Sequence, residues 1–199
     1  MSIATSENLE FPPFPIRRFT VQEYHRLGDA GVLTEEDRVE LLNGWITPKM
    51  MRSPKHDATV GLVESALRER VPHGWHVRNQ SAITTKDSEP EPDLAVVRGS
   101  VRDYVDEHPA PNDVALVIEV AETSLARDRA KCQIYAEARI EDYWIVNLVD
   151  SQIEVYSRPS ISGHEAKYGQ LMRCDVHTTI PLVVEGQIVA QLPVDDLMP

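Results

Sequence analysis

The sequence is poor in cysteine, in long apolar runs and in basic residues. Its two cysteines, Cys132 and Cys174, are too few for a disulfide framework and form no C-x-x-C pair, so we expect a reducing, cytoplasmic location. No apolar run approaches the ~20 residues that a membrane-spanning helix needs, and no signal-like segment opens the chain, so we expect no membrane association. Lysine and arginine total 20 against 32 acidic residues, a net charge of −12, which argues against a protein that coats nucleic acid through a basic face.

Several catalytic signatures are also missing. The chain contains no G-x-S-x-G elbow, no P-loop and no G-x-G-x-x-G, so acyl transfer, nucleotide hydrolysis and dinucleotide binding have no support. A length of 199 residues suits one domain. We predict an N-terminal tail over 1–17, the main domain over 18–160, and a C-terminal β extension of the same domain over 161–199.

The order of patterns along the chain indicates an α/β fold. Thr20-x-x-Glu23 predicts a capped helix, and Asn43-Gly44 predicts a hairpin between strands at 38–42 and 45–49. Apolar residues at helical spacing predict helices over 55–71 and 124–139. The remaining apolar runs predict strands at 75–79, 81–84, 94–98, 114–120, 143–149 and 152–157, with looser β structure around 183–189.

Three acidic residues stand in otherwise apolar segments and are the main functional signal. They are Glu40 in Val-Glu-Leu-Leu, Asp93 in Pro-Asp-Leu-Ala-Val-Val, and Glu119 in Leu-Val-Ile-Glu-Val. A buried carboxylate is costly without a partner, and a divalent cation can pair with several carboxylates at once. This pattern predicts a Mg²⁺ or Mn²⁺ site with Asp93 and Glu119 as ligands, Glu40 close by, and phosphate-ester chemistry.

A lysine on the second long helix completes the predicted site. Lys131 follows Glu119 by one strand-to-helix connection and shares a helix face with Arg127 and Tyr135 at i, i+4 and i+8. A helix that packs back on the sheet can bring this ammonium over the carboxylates. Lysine would there stabilise the charge that develops during phosphodiester hydrolysis.

Each of these residues also has a structural alternative. Glu40 could pair with Arg38 or Lys49 on an exposed hairpin, Asp93 could be a turn residue at a strand start, and Lys131 could be an exposed helix lysine. Glu119 has the strongest functional case, because it interrupts an apolar run of a strand that reads as central.

The same residues, taken in order, resemble the Uma-two family of endonucleases. The matching set is Val-Glu-Leu-Leu-Asn-Gly at Glu40, a helix opening near His56, the segments around Asp93 and Glu119, then Lys131, Tyr135 and Glu-Asp-Tyr-Trp-Ile-Val from Glu141. The resemblance covers roughly 18–160 and implies a restriction-endonuclease-like, PD-(D/E)xK core with a central mixed sheet flanked by helices. It implies that Glu40, Asp93, Glu119 and Lys131 are catalytic and that His56, Gln80 and Tyr135 contact substrate.

One departure from the general nuclease pattern separates the functional hypotheses. Two residues after Glu119, where that pattern has lysine, this chain has Ala121, so activity requires Lys131 to reach the site from its helix. The leading prediction is a metal-dependent endonuclease that cuts DNA, acting as a homodimer because two sites related by a two-fold axis suit double-strand cleavage. The alternatives are a catalytically silent binding or assembly domain derived from a nuclease, and a nuclease that acts on RNA.

Overall fold

The computed structural model of the chain describes residues 15–163 and 165–199. Most of the predicted tail, 1–14, lies outside the described residues. The predicted division at 160/161 falls inside a strand, and the next strand belongs to the main sheet, so these residues continue the sheet. Among the described residues, no helix is both long enough and apolar enough to cross a membrane.

Three α-helices and ten strands make up the described chain, with a few short 3₁₀ turns between them. The helices are α1 (Val21–Asp29), α2 (Pro54–Arg68) and α3 (Leu125–Glu137). The strands are β1 (Val39–Leu42), β2 (Trp45–Pro48), β3 (Trp75–Asn79), β4 (Leu94–Arg98), β5 (Val114–Ala121), β6 (Asp142–Asn147), β7 (Gln152–Ser162), β8 (Glu165–Asp175), β9 (Thr179–Val184) and β10 (Gln187–Pro193).

Local sequence explains where the first elements begin. The Thr20 side chain accepts a hydrogen bond from the Glu23 amide, and the Glu23 carboxylate accepts one from the Thr20 amide, so the predicted capping box opens α1. Asn43 and Gly44 both have positive φ, at 50° and 78°, and turn β1 into β2 as predicted. A Cβ on Gly44 would lie 2.6 Å from the Arg18 Cβ, so this position also needs glycine for space.

The main sheet is mixed, as predicted. Its strand order is β3-β4-β5-β6-β7-β8, and only β5 and β6 run parallel, with α3 as the crossover between them. The β1–β2 and β9–β10 hairpins form separate two-stranded sheets. The predicted strand over 81–84 is absent, because Gln80 adopts a left-handed φ of 44° and turns the chain away from β3.

Helices cover both faces of the sheet and divide the core in two. Leu116, Ile118 and Val120 of β5 face α2 and the β9–β10 hairpin. Val117 and Ala121 face the opposite way, toward α3. Because side chains alternate along a strand, Glu119 points to the α3 side together with Val117 and Ala121. The sheet therefore presents the central carboxylate to the helix that carries Lys131.

Candidate active site

A cavity of about 340 Å³ opens where the β1–β2 hairpin, the start of α2, the β4 and β5 strands and α3 meet. Six of the seven predicted site residues line it, and Tyr135 does not. The lining also includes basic and acidic side chains outside that set: Arg38, Lys49, Arg52, Arg127, Glu35, Glu91, Glu122 and Asp128. The cleft thus combines both charges and has no uniformly basic wall.

Asp93 and Glu119 meet because their strands are neighbours in the required register. Leu94 pairs with Ile118 in the antiparallel β4–β5 ladder, and extending this register by one residue sets Asp93 across from Glu119. The amide of Val120 donates to Oδ2 of Asp93 at 2.8 Å, which fixes the aspartate at the strand end. Asp93 therefore lies at the start of a strand, as the structural alternative expected, and its carboxylate is also fixed beside Glu119.

Lys131 is buried between carboxylates from two different elements. Its side chain is only 6% exposed, so it is no exposed helix lysine. Nζ donates to Oε1 of Glu119 at 2.9 Å and to Oε2 of Glu40 at 3.3 Å. Burial by itself would lower the pKa of Lys131, but Glu119 and Glu40 outweigh that effect and raise the pKa, so the ammonium stays charged. Helix α3 therefore supplies the positive charge beside Glu119 that the general nuclease pattern places on a lysine at position 121, where this chain has alanine.

Glu119 is held in a site that disfavours its negative charge. Burial raises the pKa of Glu119, and the neighbouring carboxylates add to this rise while Lys131 opposes it. Tyr135 lies one turn beyond Lys131 and donates its hydroxyl to Oε1 of Glu119 at 3.1 Å. Since Tyr135 is fully buried, the prediction that it contacts substrate is corrected to a hydrogen bond that orients Glu119.

The partners of Glu40 differ from those expected. Oε1 accepts from Arg127 at 2.7 Å, while Oε2 accepts from Lys131 and from the Glu91 amide. Lys49, one of the alternative partners, pairs with Glu91 instead. Glu40 is 3% exposed and its charge is balanced by two cations of α3. These contacts explain the burial of Glu40 without a metal ion.

His56 contacts the side chain of Asp93, and Gln80 contacts its backbone. Nε2 of His56 lies 3.2 Å from Oδ2 of Asp93, and Nδ1 lies 3.3 Å from Asp57. Burial alone would lower the pKa of His56, but its hydrogen bond with Asp93 contributes to a raised value. The Gln80 amide donates to the Asp93 carbonyl at 3.0 Å, in the left-handed turn that follows β3.

Asp128 and Arg127 were not predicted as site residues. Asp128 is 4% exposed, and burial raises its pKa to about 6, against the opposing effects of a Ser124 hydrogen bond and Lys131. Its position three residues before Lys131 was the available signal, because i and i+3 residues share a helix face. Arg127 lies on that face too, but its sequence context predicts no role, since its partner on β1 is 87 positions away in sequence.

The carboxylate oxygens of the cleft that accept no hydrogen bond from the described residues suit a hard divalent cation. Among the described residues, hydrogen bonds reach only Oδ2 of Asp93 and Oε1 of Glu119, which leaves Oδ1 and Oε2 for another partner. Mg²⁺ is commonly bound by one or two carboxylates together with water and phosphate oxygens. Within 15–163 and 165–199, no group of three His, Cys, Asp or Glu side chains forms a complete metal cage. The residues therefore fit a two-carboxylate site completed by water or substrate.

Comparison with known proteins identifies a family and a fold. Residues 21–185 match the model of the Uma2 family, described as "Putative restriction endonuclease". No curated protein shows a significant sequence match. A solved structure from Anabaena variabilis ATCC 29413, described as "a putative nuclease belonging to DUF820", is similar with a TM-score of 0.67 and 19% identity, over 92% of this chain and 97% of that chain. At this identity the likeness shows the fold, and it confirms the restriction-endonuclease-like class.

Proposed function

Because the chain belongs to the Uma2 family of restriction-endonuclease-like proteins, we propose that it is a metal-dependent endonuclease that hydrolyses phosphodiester bonds, with DNA as its substrate. The observation that carries this proposal is the Asp93 and Glu119 pair, with one unused oxygen each, beside the buried ammonium of Lys131. Two hard oxygen donors and a fixed positive charge are what metal-assisted phosphate chemistry needs.

The chain's own residues divide the work of this reaction. Asp93 and Glu119 would hold Mg²⁺ or Mn²⁺, and the metal, when bound, polarises a phosphoryl oxygen and acidifies water. Lys131 stands at hydrogen-bond distance from Glu119 and would stabilise negative charge that develops on the phosphate. His56 restrains Asp93, and Tyr135 restrains Glu119.

The silent-domain alternative rests on Ala121 and on the acidic character of the chain. The position of Lys131 supports the enzyme, because the ammonium reaches Glu119 from α3 although β5 lacks the usual lysine. The RNA alternative has no observation in its favour and is treated as an outcome of the test. Cytoplasmic location stays a prediction.

The test is cleavage of labelled single- and double-stranded DNA and RNA, and of supercoiled plasmid, with Mg²⁺, Mn²⁺ or EDTA. We expect metal-dependent cleavage of DNA by the wild type and loss of at least ~1,000-fold in Asp93→Asn, because this change removes a metal ligand. Glu185→Gln is the matched control, since Glu185 is an exposed carboxylate paired with Arg98 away from the cleft. A folded, Mn²⁺-binding wild type that cuts no substrate would favour the silent domain, and cleavage of RNA alone would change the substrate.

We further propose that the protein acts as a homodimer, because symmetric double-strand cleavage benefits from two sites. Sedimentation of the chain across micromolar concentrations should then show a species of twice the 22.4 kDa chain mass. A single species at the chain mass over that range would remove the dimer from the proposal.

A further inference from the structure

Arg127 joins α3 to the β1–β2 hairpin at the edge of the cleft. Its Nη2 donates to Oε1 of Glu40 at 2.7 Å and to Oγ1 of Thr47 at 3.0 Å. Nη1 donates to the carbonyl oxygen of Pro48. The guanidinium therefore contacts both strands of the hairpin, and its side chain is 25% exposed, so most of it is committed to these contacts.

The carboxylate of Glu40 passes this restraint on to Lys131. Arg127 holds Oε1 of Glu40 and the backbone amide of Glu91 donates to Oε2, so the carboxylate is fixed with both oxygens toward Nζ of Lys131, at 3.2 Å and 3.3 Å. Lys131 and Arg127 lie one helical turn apart on the same face of α3. Glu40 thus forms ion pairs with two cations of one helix. Through Glu40, the hairpin restrains the Lys131 ammonium that also contacts Glu119.

We propose that Arg127 is a positioning residue whose guanidinium holds Glu40, and that Glu40 in turn holds the ammonium of Lys131 toward Glu119 and does not bind the metal. The use of Lys131 in cleavage rests on the proposed function. The positioning itself is a property of the metal-free protein and can be tested without any cleavage.

The choice of arginine at position 127 follows from the geometry. A planar guanidinium has several donors in a fixed fork and can serve a carboxylate, a hydroxyl and a carbonyl at once, whereas a lysine ammonium is a flexible point charge. The Arg127 charge also offsets that of Glu40 at 2.7 Å. Glu40 is therefore a poor competitor for a cation, and the oxygens of Asp93 and Glu119 that have no hydrogen bond among the described residues are the better ligands.

The first test measures how freely Lys131 moves. Competitive acetylation of the metal-free protein, read by mass spectrometry over a range of pH, separates the pKa of Lys131 from the reactivity of its neutral amine. That reactivity should be about tenfold higher in Arg127→Met, because a restraint on its carboxylate partner is lost. Arg127→Lys should give an intermediate rate. Arg129→Met is the matched control: it removes an arginine from the same helix that also pairs with a buried glutamate, Glu154, but on the other flank.

Two results would overturn the positioning role: an unchanged labelling rate in Arg127→Met, or an equal rise in Arg127→Met and Arg129→Met. If Arg127→Met does not fold, Thr47→Val removes one of the arginine's hairpin contacts and should raise the rate by a smaller factor. No rise in folded Thr47→Val together with no rise in Arg127→Lys would contradict the proposal equally.

The second test asks whether Glu40 is a metal ligand. Calorimetric titration with Mn²⁺ should show Glu40→Gln within about threefold of the wild-type affinity and Asp93→Asn weaker by about tenfold or more, since only the second change removes a ligand charge. An equal loss in both variants would make Glu40 a ligand. In cleavage, Arg127→Met should lower kcat by about tenfold to 100-fold with KM unchanged. A wild type that cleaves nothing would defeat the enzyme proposal and leave the labelling result in force.

Discussion

Helix α3 carries a cation on each of its two flanks, and each cation pairs with a buried carboxylate of the sheet. The two carboxylates differ in how many of their oxygens are hydrogen-bonded. Glu119 on β5 and Glu154 on β7 lie in one row across the sheet, because both are level with Ile145 of β6. They consequently face the same side, under the same helix. Lys131 serves the first carboxylate and Arg129 serves the second.

The Glu154 flank is saturated. Arg129 donates to both carboxylate oxygens, Tyr156 donates to Oε2 at 2.6 Å and Asn147 donates to Oε1 at 3.2 Å. Burial of Glu154 would raise its pKa, but these hydrogen bonds outweigh burial and lower it. A buried charge whose oxygens are all bonded has a structural role, because no acceptor is left for a ligand.

The Glu119 flank is unsaturated and borders the cleft. Its two hydrogen bonds among the described residues share one oxygen, and burial raises the pKa of Glu119. Two cations of one helix thus pair with a fully hydrogen-bonded carboxylate on one side and with a carboxylate that keeps one oxygen for a further cation on the other. A buried carboxylate indicates function when its bonding is incomplete.

The largest expected effect comes from removing the cation of the cleft flank. Lys131→Met should lower cleavage by roughly 100-fold to 1,000-fold, because the charge that stabilises the developing phosphate anion is lost. Lys167→Met on β8 is the control, since Lys167 is an exposed lysine of the same sheet. Initial rates of plasmid cleavage would measure the difference. Near-normal rates in Lys131→Met would show that the two flanks do not differ in function.

Removing the cation of the saturated flank should affect stability instead. Arg129→Met leaves the fully buried Glu154 carboxylate without its charge partner and should lower the free energy of unfolding by about 3 kcal/mol. Urea unfolding at pH 7 would measure this loss, and the kcat of the folded protein should be unchanged. Arg102→Met changes an exposed arginine and should stay within about 0.5 kcal/mol of the wild type. A loss no larger than this control would make the Glu154 cluster energetically neutral.

The smallest expected effect on stability comes from a third acidic residue of the sheet, Asp142. It has no cation partner among the described residues. Burial raises the pKa of Asp142, at the start of β6, to about 6, with Glu141 adding to the rise. The native state thus holds this proton more tightly than the unfolded chain does. Its contribution to stability is present below the unfolded value of 3.8 and is lost as pH rises through about 6.

Asp142→Asn should remove this pH dependence. Allowing for partial exposure of the side chain, the variant should gain about 1 kcal/mol over the wild type between pH 4 and pH 7. Unfolding midpoints at the two pH values would measure the gain, with exposed Glu141→Gln as the comparison. A constant difference between variant and wild type over this range would contradict the shifted pKa.

Local signals explain why much of the fold was predictable. The capping box at Thr20, the turn at Asn43 and Gly44 and the periodic helix α2 each depend on residues close in sequence. The strand predicted over 81–84 failed because its apolar pattern does not reveal the left-handed backbone of Gln80 just before it.

Only those site residues whose own strand segment carries the signal could be predicted from the sequence. Asp93 and Glu119 were selected because a charge in an apolar run needs a partner, and the structure brings them together. The partner of Glu40 could not be deduced, since Arg127 is 87 positions away and its approach depends on how α3 packs against the hairpin. Tyr135 shared a helix face with Lys131, but periodicity alone does not distinguish a cleft wall from a buried position.

The β1–β2 hairpin that carries Glu40 is not part of the six-stranded sheet. It is a separate two-stranded sheet, tied to the following chain by a bridge between Leu41 and Glu89 and to α3 by Arg127. Such a unit has its own opening free energy, smaller than that of the whole domain. We therefore expect the hairpin side of the Lys131 contacts to open at a lower free energy than the sheet that positions Asp93 and Glu119. Partial opening of the hairpin would release Lys131 from one side while the sheet stays folded.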